Sequence, residues 1–222
     1  MLSLRLKAVA DFINEGDVVA DIGSDHGKLP LYLNKLGFPY VYASENKSGP
    51  YNRLKKEIGT PVTGEIEIAL KDGLADLPNH INTVVIAGMG GDLIGEILSA
   101  FTSRLDQIEK LILAPNNGEQ NLRRLVSFLG FTIINEKVIE DKGQFYEIMV
   151  AVNAPCPVCG IETMFGAINL AEKSAPFLNK WREVYSRNDE LLQKTEIDGK
   201  RRAELLEMQK QIEKAIKVKD EE

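Results

Sequence analysis

The sequence predicts an α/β fold, a mostly parallel Rossmann-like sheet that ends in an antiparallel hairpin and is followed by a charged helical extension. Three observations predict it. Short apolar runs alternate with helical stretches through the first 130 or so residues, the pattern of βα units in a parallel sheet. Two longer alternating runs then meet at the turn Asp141-Lys142-Gly143. Finally, residues 170–222 hold 12 basic and 12 acidic side chains, whereas the remaining 169 residues hold 15 and 21 and carry the whole net charge of −6.

A first helix is expected over 2–14, with Leu2, Leu6, Val9 and Ile13 on one face. Strands are expected at 17–22, 40–44, 66–70, 83–87 and 110–114, with helices around 28–36, 50–58, 92–101 and 118–129. Runs 131–140 and 144–152 form the antiparallel hairpin. Five βα-type units ending in a β-hairpin outline a methyltransferase sheet, whereas a nicotinamide-binding domain more often ends with a sixth parallel strand. In the extension, Leu178, Trp181, Tyr185, Asn188, Leu192 and Thr195 step by threes and fours. Past Asp198-Gly199, Leu205, Met208, Ile212 and Ala215 do the same, and Pro176 suits a first helical turn. This reads as a coiled-coil-like helical hairpin closing on itself or on the body, the alternative being one amphipathic helix on the core. The boundary is drawn at 160: a catalytic unit over 1–160 and the hairpin over 161–222.

Composition narrows the functional classes. A chain of 222 residues with 44% hydrophobic and 27% charged residues supports one sizeable core plus an appendage and excludes a disordered chain. No apolar run approaches the roughly 20 residues of a membrane span. The amphipathic start does not read as a signal or transit peptide, and two cysteines make a reducing cytoplasm the default. A pI near 5.2 argues against a general nucleic-acid coat, so any RNA contact must be local.

The motifs fall at strand ends. The first strand runs into Asp21-Ile22-Gly23-Ser24-Asp25-His26-Gly27, where glycines permit a sharp turn and close ligand approach. A dinucleotide fingerprint has a glycine where Asp25 stands; an anion there repels a pyrophosphate and suits a cationic cofactor without phosphate, such as S-adenosylmethionine. A turn that merely caps a helix is the bland alternative. Glu45 lies one βαβ unit later, placed either to accept from ribose hydroxyls or simply at the surface. Asp72-Gly73 ends the third strand as an adenine-amine acceptor or an ordinary turn. Ala87-Gly88-Met89-Gly90-Gly91 carries more glycine than a strand-to-helix turn needs, which implies backbone pressed against a ligand or another segment. Pro115 then fixes Asn116 and Asn117 at the carboxyl edge of the sheet, where α/β folds bind ligands.

DIGSDHGKLP (21–30), AGMGG (87–91), LAPN (113–116), GQFYE (143–147) and an opening RL..VA.FI (5–13) together resemble the bacterial tRNA (adenine-22-N1)-methyltransferases. The resemblance covers nearly the whole chain and implies a seven-stranded class I methyltransferase sheet. It implies S-adenosylmethionine as cofactor, tRNA as substrate and N1 of adenine 22 as acceptor, in a cytoplasmic enzyme with no obligatory protein partner. It implies a cofactor site built by Asp21, Gly23, His26, Glu45, Asp72, Gly73, Gly88, Met89 and Gly90. It places Asp25 and Asn116 at the target adenine as catalytic residues; Arg5, Lys28, Arg123 and Arg124, read from local charge as ringing the same sheet edge, and Tyr146 are the expected tRNA contacts, a solvated helix face being the alternative for the basic ones. The basic tip Lys200-Arg201-Arg202 would reach along the tRNA. No metal is implied: Cys156 and Cys159 have half the ligand spacing of a zinc ribbon, and read as free thiols or a site shared between two chains. Trp181 reads as hairpin core before base-stacking platform. The rival readings are an exocyclic-amine methyltransferase, a nicotinamide-dependent oxidoreductase and a non-enzymatic module that binds a partner through its hairpin.

Overall fold

The computed structural model describes residues 2–59, 64–154, 161–194 and 197–217. Its elements run α1 (Leu4–Ala10), β1 (Val19–Ile22), α2 (Lys28–Lys35), β2 (Tyr40–Glu45), α3 (Ser48–Ile58) and β3 (Glu65–Leu70). There follow β4 (Thr83–Ala87), α4 (Gly91–Ala100), α5 (Thr102–Leu105), β5 (Lys110–Ala114) and α6 (Glu119–Phe128). The hairpin strands are β6 (Phe131–Asp141) and β7 (Gln144–Asn153). Short helices α7 (Ile161–Phe165) and α8 (Ala167–Glu172) lead into α9 (Ala175–Leu192) and α10 (Gly199–Ile216). Cys156, Cys159 and Thr195 lie outside the described residues.

The seven strands form one sheet in the order β3-β2-β1-β4-β5-β7-β6. The first five are parallel, and β7 runs antiparallel to both β5 and β6. Chain order therefore reverses between β1 and β4, the switch point where open α/β sheets take ligands. The central strands are buried on both faces and read as continuous apolar runs such as Val84-Val85-Ile86 and Leu111-Ile112-Leu113. Edge strand β3 alternates Glu65, Ile66, Glu67 and Ile68, its isoleucines packing toward Leu54 and Ile58 of α3.

Two apolar layers flank the sheet. One gathers Ile22, Ile86, Leu98, Leu111 and Val126; the other gathers Val9, Val19, Leu33, Val85 and Ile112. The first helix is shorter than its apolar spacing suggests. It ends at Ala10 because Asn14 and Gly16, the latter at φ +93°, turn the chain, and Asp17 accepts from the Asn14 N–H. Helices α5, α7 and α8 had no expected counterpart; each is too short for an apolar repeat to register.

The extension closes both on itself and on the body. Asp198 caps α10 by accepting from the N–H groups of Lys200 and Arg201 at 2.9 and 3.0 Å. Tyr185 of α9 donates to Glu213 of α10 at 2.9 Å, and the Arg202 guanidinium donates to the Lys194 carbonyl at 3.3 Å. Phe177 and Trp181 pack with Phe165, Ile212 and Ala215 against Val138 of β6. Trp181 is therefore core, its ring 4.4 Å from that of Phe165. No helix among the described residues is long and apolar enough to cross a membrane.

Candidate functional site

A cleft of about 250 Å³ opens at the carboxyl ends of β1, β2 and β3, lined among others by Gly23, Glu45, Asp72, Gly73 and Met89. Two carboxylates lie buried at the strand ends beside it. Asp21, next to last in β1, accepts a 2.6 Å hydrogen bond from the Ser24 hydroxyl and is pushed up to about 6. Burial is the main cause, with repulsion from Glu45 adding to it. Glu45 ends β2 and is also raised, first by burial; the Asp25 N–H that donates to it acts in the opposite direction. Among the described residues no cation acts on Asp21, while Arg53 partly offsets Glu45, the one of the two that lines the cleft.

The turn that holds them is shaped by Gly23 at φ +76°. Its N–H donates to the Ser44 carbonyl at 2.9 Å, and a Cβ there would lie 2.0 Å from the Met89 methyl. Asp72 accepts from the Asn46 amide at 3.3 Å across the cleft mouth. These residues are the part of the expected cofactor set that the structure brings together.

A second constellation lies at the ends of β4 and β5. The Asn116 amide is used at both ends: it donates to the Gly88 carbonyl at 2.7 Å and accepts from the Arg5 guanidinium at 2.8 Å. Arg5 arrives from α1 and lies over the Tyr146 ring, 4.9 Å from its centroid. The AGMGG glycines make this possible. A Cβ on Gly91 would meet the Gly118 carbonyl at 2.7 Å, and the Asn116 N–H donates to the Met89 carbonyl at 2.8 Å. Gly90 and Gly91 are thus pressed against the 116–118 loop, while Met89 beside them lines the cleft.

Three expected roles change. Arg123 does not meet tRNA: it is fully buried, donating to Glu136 at 2.7 Å, to Glu147, and to the carbonyls of Thr163 and Met164. Its neighbour Arg124 is exposed. Asp25 sits at φ +44° with its carboxylate bonded to Arg53 at 2.9 Å, so it belongs to the β1–α3 corner and not to the Asn116 constellation. His26 turns away from the cofactor cleft and lines a groove with Lys7, Lys28 and Tyr32. Ser24, Asn46 and Arg53 were missed as site residues. Ser24 lay inside the quoted motif; Arg53 stands in a local basic cluster with Lys47, Lys55 and Lys56, but nothing there marked it as the partner of Asp25, 28 residues away.

Comparison with known proteins bears on this geometry. Residues 2–149 match the model of a methyltransferase domain family. A tRNA (adenine(22)-N(1))-methyltransferase of Bacillus subtilis is 35% identical over 190 residues, covering 81% of this chain and 79% of that protein. A Streptococcus pneumoniae protein proposed to be a tRNA (m1A22) methyltransferase, solved with S-adenosyl-L-methionine, superposes with a TM-score of 0.91 at 32% identity. That alignment covers 98% of this chain and 100% of the other. The crystal structure of the B. subtilis M1A22 tRNA methyltransferase gives 0.87 at 28% identity, over 98% and 99% of the two chains.

Proposed function

The chain belongs to the methyltransferase family of the tRNA (adenine(22)-N(1))-methyltransferases, and on that premise we propose that it methylates N1 of adenine 22 in tRNA with S-adenosylmethionine as donor. The observation that supports this most is the juxtaposition of an acid-lined cleft with the Arg5–Asn116–Gly88 clamp, joined through Met89. Buried carboxylates with raised pKa values fit a cationic cofactor, and the cleft fits one that lacks phosphate. Glu45 and Asp21 would hold its hydroxyls and ammonium, Asp72 and Gly73 its base, and Gly23, Gly88 and Met89 its chain. Bound there, the cofactor supplies an electrophilic methyl group on a cationic sulfur.

Neutral adenine N1 already offers its lone pair, so no general base is needed for attack. The contribution of the protein is orientation and fixed dipoles. Asn116 cannot rotate, because both ends of its amide are held, so it presents one face to the adenine ring edge. Arg5 and Tyr146 form a stacked plate beside it. Asp25 acts indirectly, its backbone N–H fixing the Glu45 carboxylate. Because N1 lies on the pairing edge, the base must leave its pair before reaction.

Arg5, Lys28, Arg124 and Tyr146 are proposed tRNA contacts, with Lys200-Arg201-Arg202 at the tip of a hairpin that follows the catalytic unit. The reading places the enzyme in the cytoplasm with tRNA. Incubating it with transcribed tRNAs that carry or lack adenine 22, then analysing nucleosides, tests the whole. N1-methyladenosine should appear only with adenine 22; N6-methyladenosine in its place would overturn the acceptor assignment.

A further inference from the structure

The groove that His26 lines lies between α1 and α2 and measures about 780 Å³. It is lined by Lys7 of α1, by Lys28 and Lys35 of α2, and by one acid, Glu57. The three lysines are exposed, and none forms an ion pair among the described residues. Asp25, 3.6 Å from the His26 ring at the groove's edge, is bonded to Arg53, and Asp11, one turn beyond Lys7, pairs with none of the three lysines. In a chain of net charge −6, a groove with this excess of uncompensated cations is a local field of opposite sign to the whole.

We infer that this groove is a phosphate-binding track for the tRNA strand leading away from the target adenine. The inference rests on the tRNA reading and adds the surface that grips the backbone. Its position supports it: α1 carries Arg5 into the Asn116 clamp and Lys7 into the groove, and His26 and Lys28 directly follow the loop that ends the cofactor cleft. Arg5 and Lys7, two residues apart, leave α1 on different faces, so a strand whose base sits at Asn116 must cross α1 to reach the groove. Half-buried Tyr32 and Leu31 form an apolar wall against which sugars and base faces can lie. Lysines spread along two helices match a polymer of phosphates better than one small anion.

Counterion release makes the test quantitative, since each neutralised phosphate contributes about 0.7–0.9 to the slope of log K against log salt. Binding of the full chain to transcribed tRNA is measured from 50 to 300 mM KCl for wild type, K7Q/K28Q/K35Q, and K55Q/K56Q on α3. The triple variant should flatten the slope by about 2–3, weaken binding at least about tenfold at 100 mM KCl, and bind S-adenosylmethionine like wild type. K55Q/K56Q should change the slope by less than about 0.5. An unchanged slope in the triple variant overturns the track, as does an equal loss per charge in K55Q/K56Q. Were the triple variant to lose cofactor binding, the single variants decide, each expected to remove about 0.7–0.9. Wild-type tRNA binding with this slope but no N1-methyladenosine would overturn the proposed reaction and leave the track standing.

Discussion

Among the described residues buried carboxylates gather in two places, and Glu147 of one and Asp21 of the other shift in opposite directions, although burial raises Glu136 beside Glu147 as well. Under the extension, Glu147 is fully buried but held below its ordinary range by Arg123 and by Lys180 of α9, whose ammonium lies 2.6 Å away. Near the end of β1, Asp21 is also buried and is pushed up to about 6 by that burial, with no compensating cation among the described residues. The first arrangement is complete and serves cohesion. The second is incomplete, and the missing positive charge is what a cationic ligand brings. At Asp21 the buried charge lacks a cationic partner among the described residues, whereas Glu45 beside it is partly offset by Arg53.

The comparison breaks most visibly at the junction. Arg123→Met leaves Glu136 and Glu147 facing each other in the interior, and urea unfolding at pH 7 should show a loss of about 3–5 kcal/mol. A loss below about 1 kcal/mol would mean that the junction is not a closed ionic unit.

Asp21 should behave in the reverse sense. Its folded pKa lies above the unfolded 3.8, so its contribution to stability is intact below that value and is lost as pH rises through about 6. At pH 8 the ionised group costs about 3 kcal/mol. Asp21→Asn should therefore stabilise the free protein at pH 8 by up to about 3 kcal/mol, with the gain vanishing near pH 4, while cofactor affinity falls about 100-fold or more. In wild type, S-adenosylmethionine affinity should drop about tenfold for each pH unit below 6 and flatten above 7, as followed by calorimetry. Destabilisation by D21N would show that the site stores no such cost.

At the Asn116 clamp the cation is supplied within the chain, so its loss should disturb orientation and leave cofactor binding alone. Arg5→Ala should lower kcat/KM for tRNA by about 10–100-fold with unchanged cofactor affinity, and Arg5→Lys should restore only part of it. The smallest effect is expected two turns along α9 from Lys180, where Arg187 pairs with Glu183 in solvent. Arg187→Ala should cost less than about 0.5 kcal/mol in the same unfolding assay.

The sheet was legible because its strands are short apolar runs between amphipathic stretches, and Asn116 because Pro115 and the strand before it declare a sheet edge. Partnerships were less so. Arg5 and Asn116 are 111 residues apart, and nothing near either names the other. Arg123 looked like an RNA contact because Arg123-Arg124 is locally a basic pair. One turns inward to Glu136 and Glu147 and the other outward, a distinction that belongs to the packing of α6 on β6 and β7. His26 sat in the right motif, but the turn after Gly23 carries its ring past the cleft to the lysine groove.

The contact between Gly23 and Met89 has a consequence for how this loop can drift over generations. Position 23 meets two obstacles of unequal weight: its positive φ, and the Met89 methyl, the movable end of a flexible side chain, standing where a Cβ would be. Shrinking Met89 removes only the second bar. Met89 is therefore free to change while Gly23 stays, but Gly23 is not free to change even after Met89 has. Among diverging relatives the dependence runs one way, from the backbone turn to the side chain that covers it.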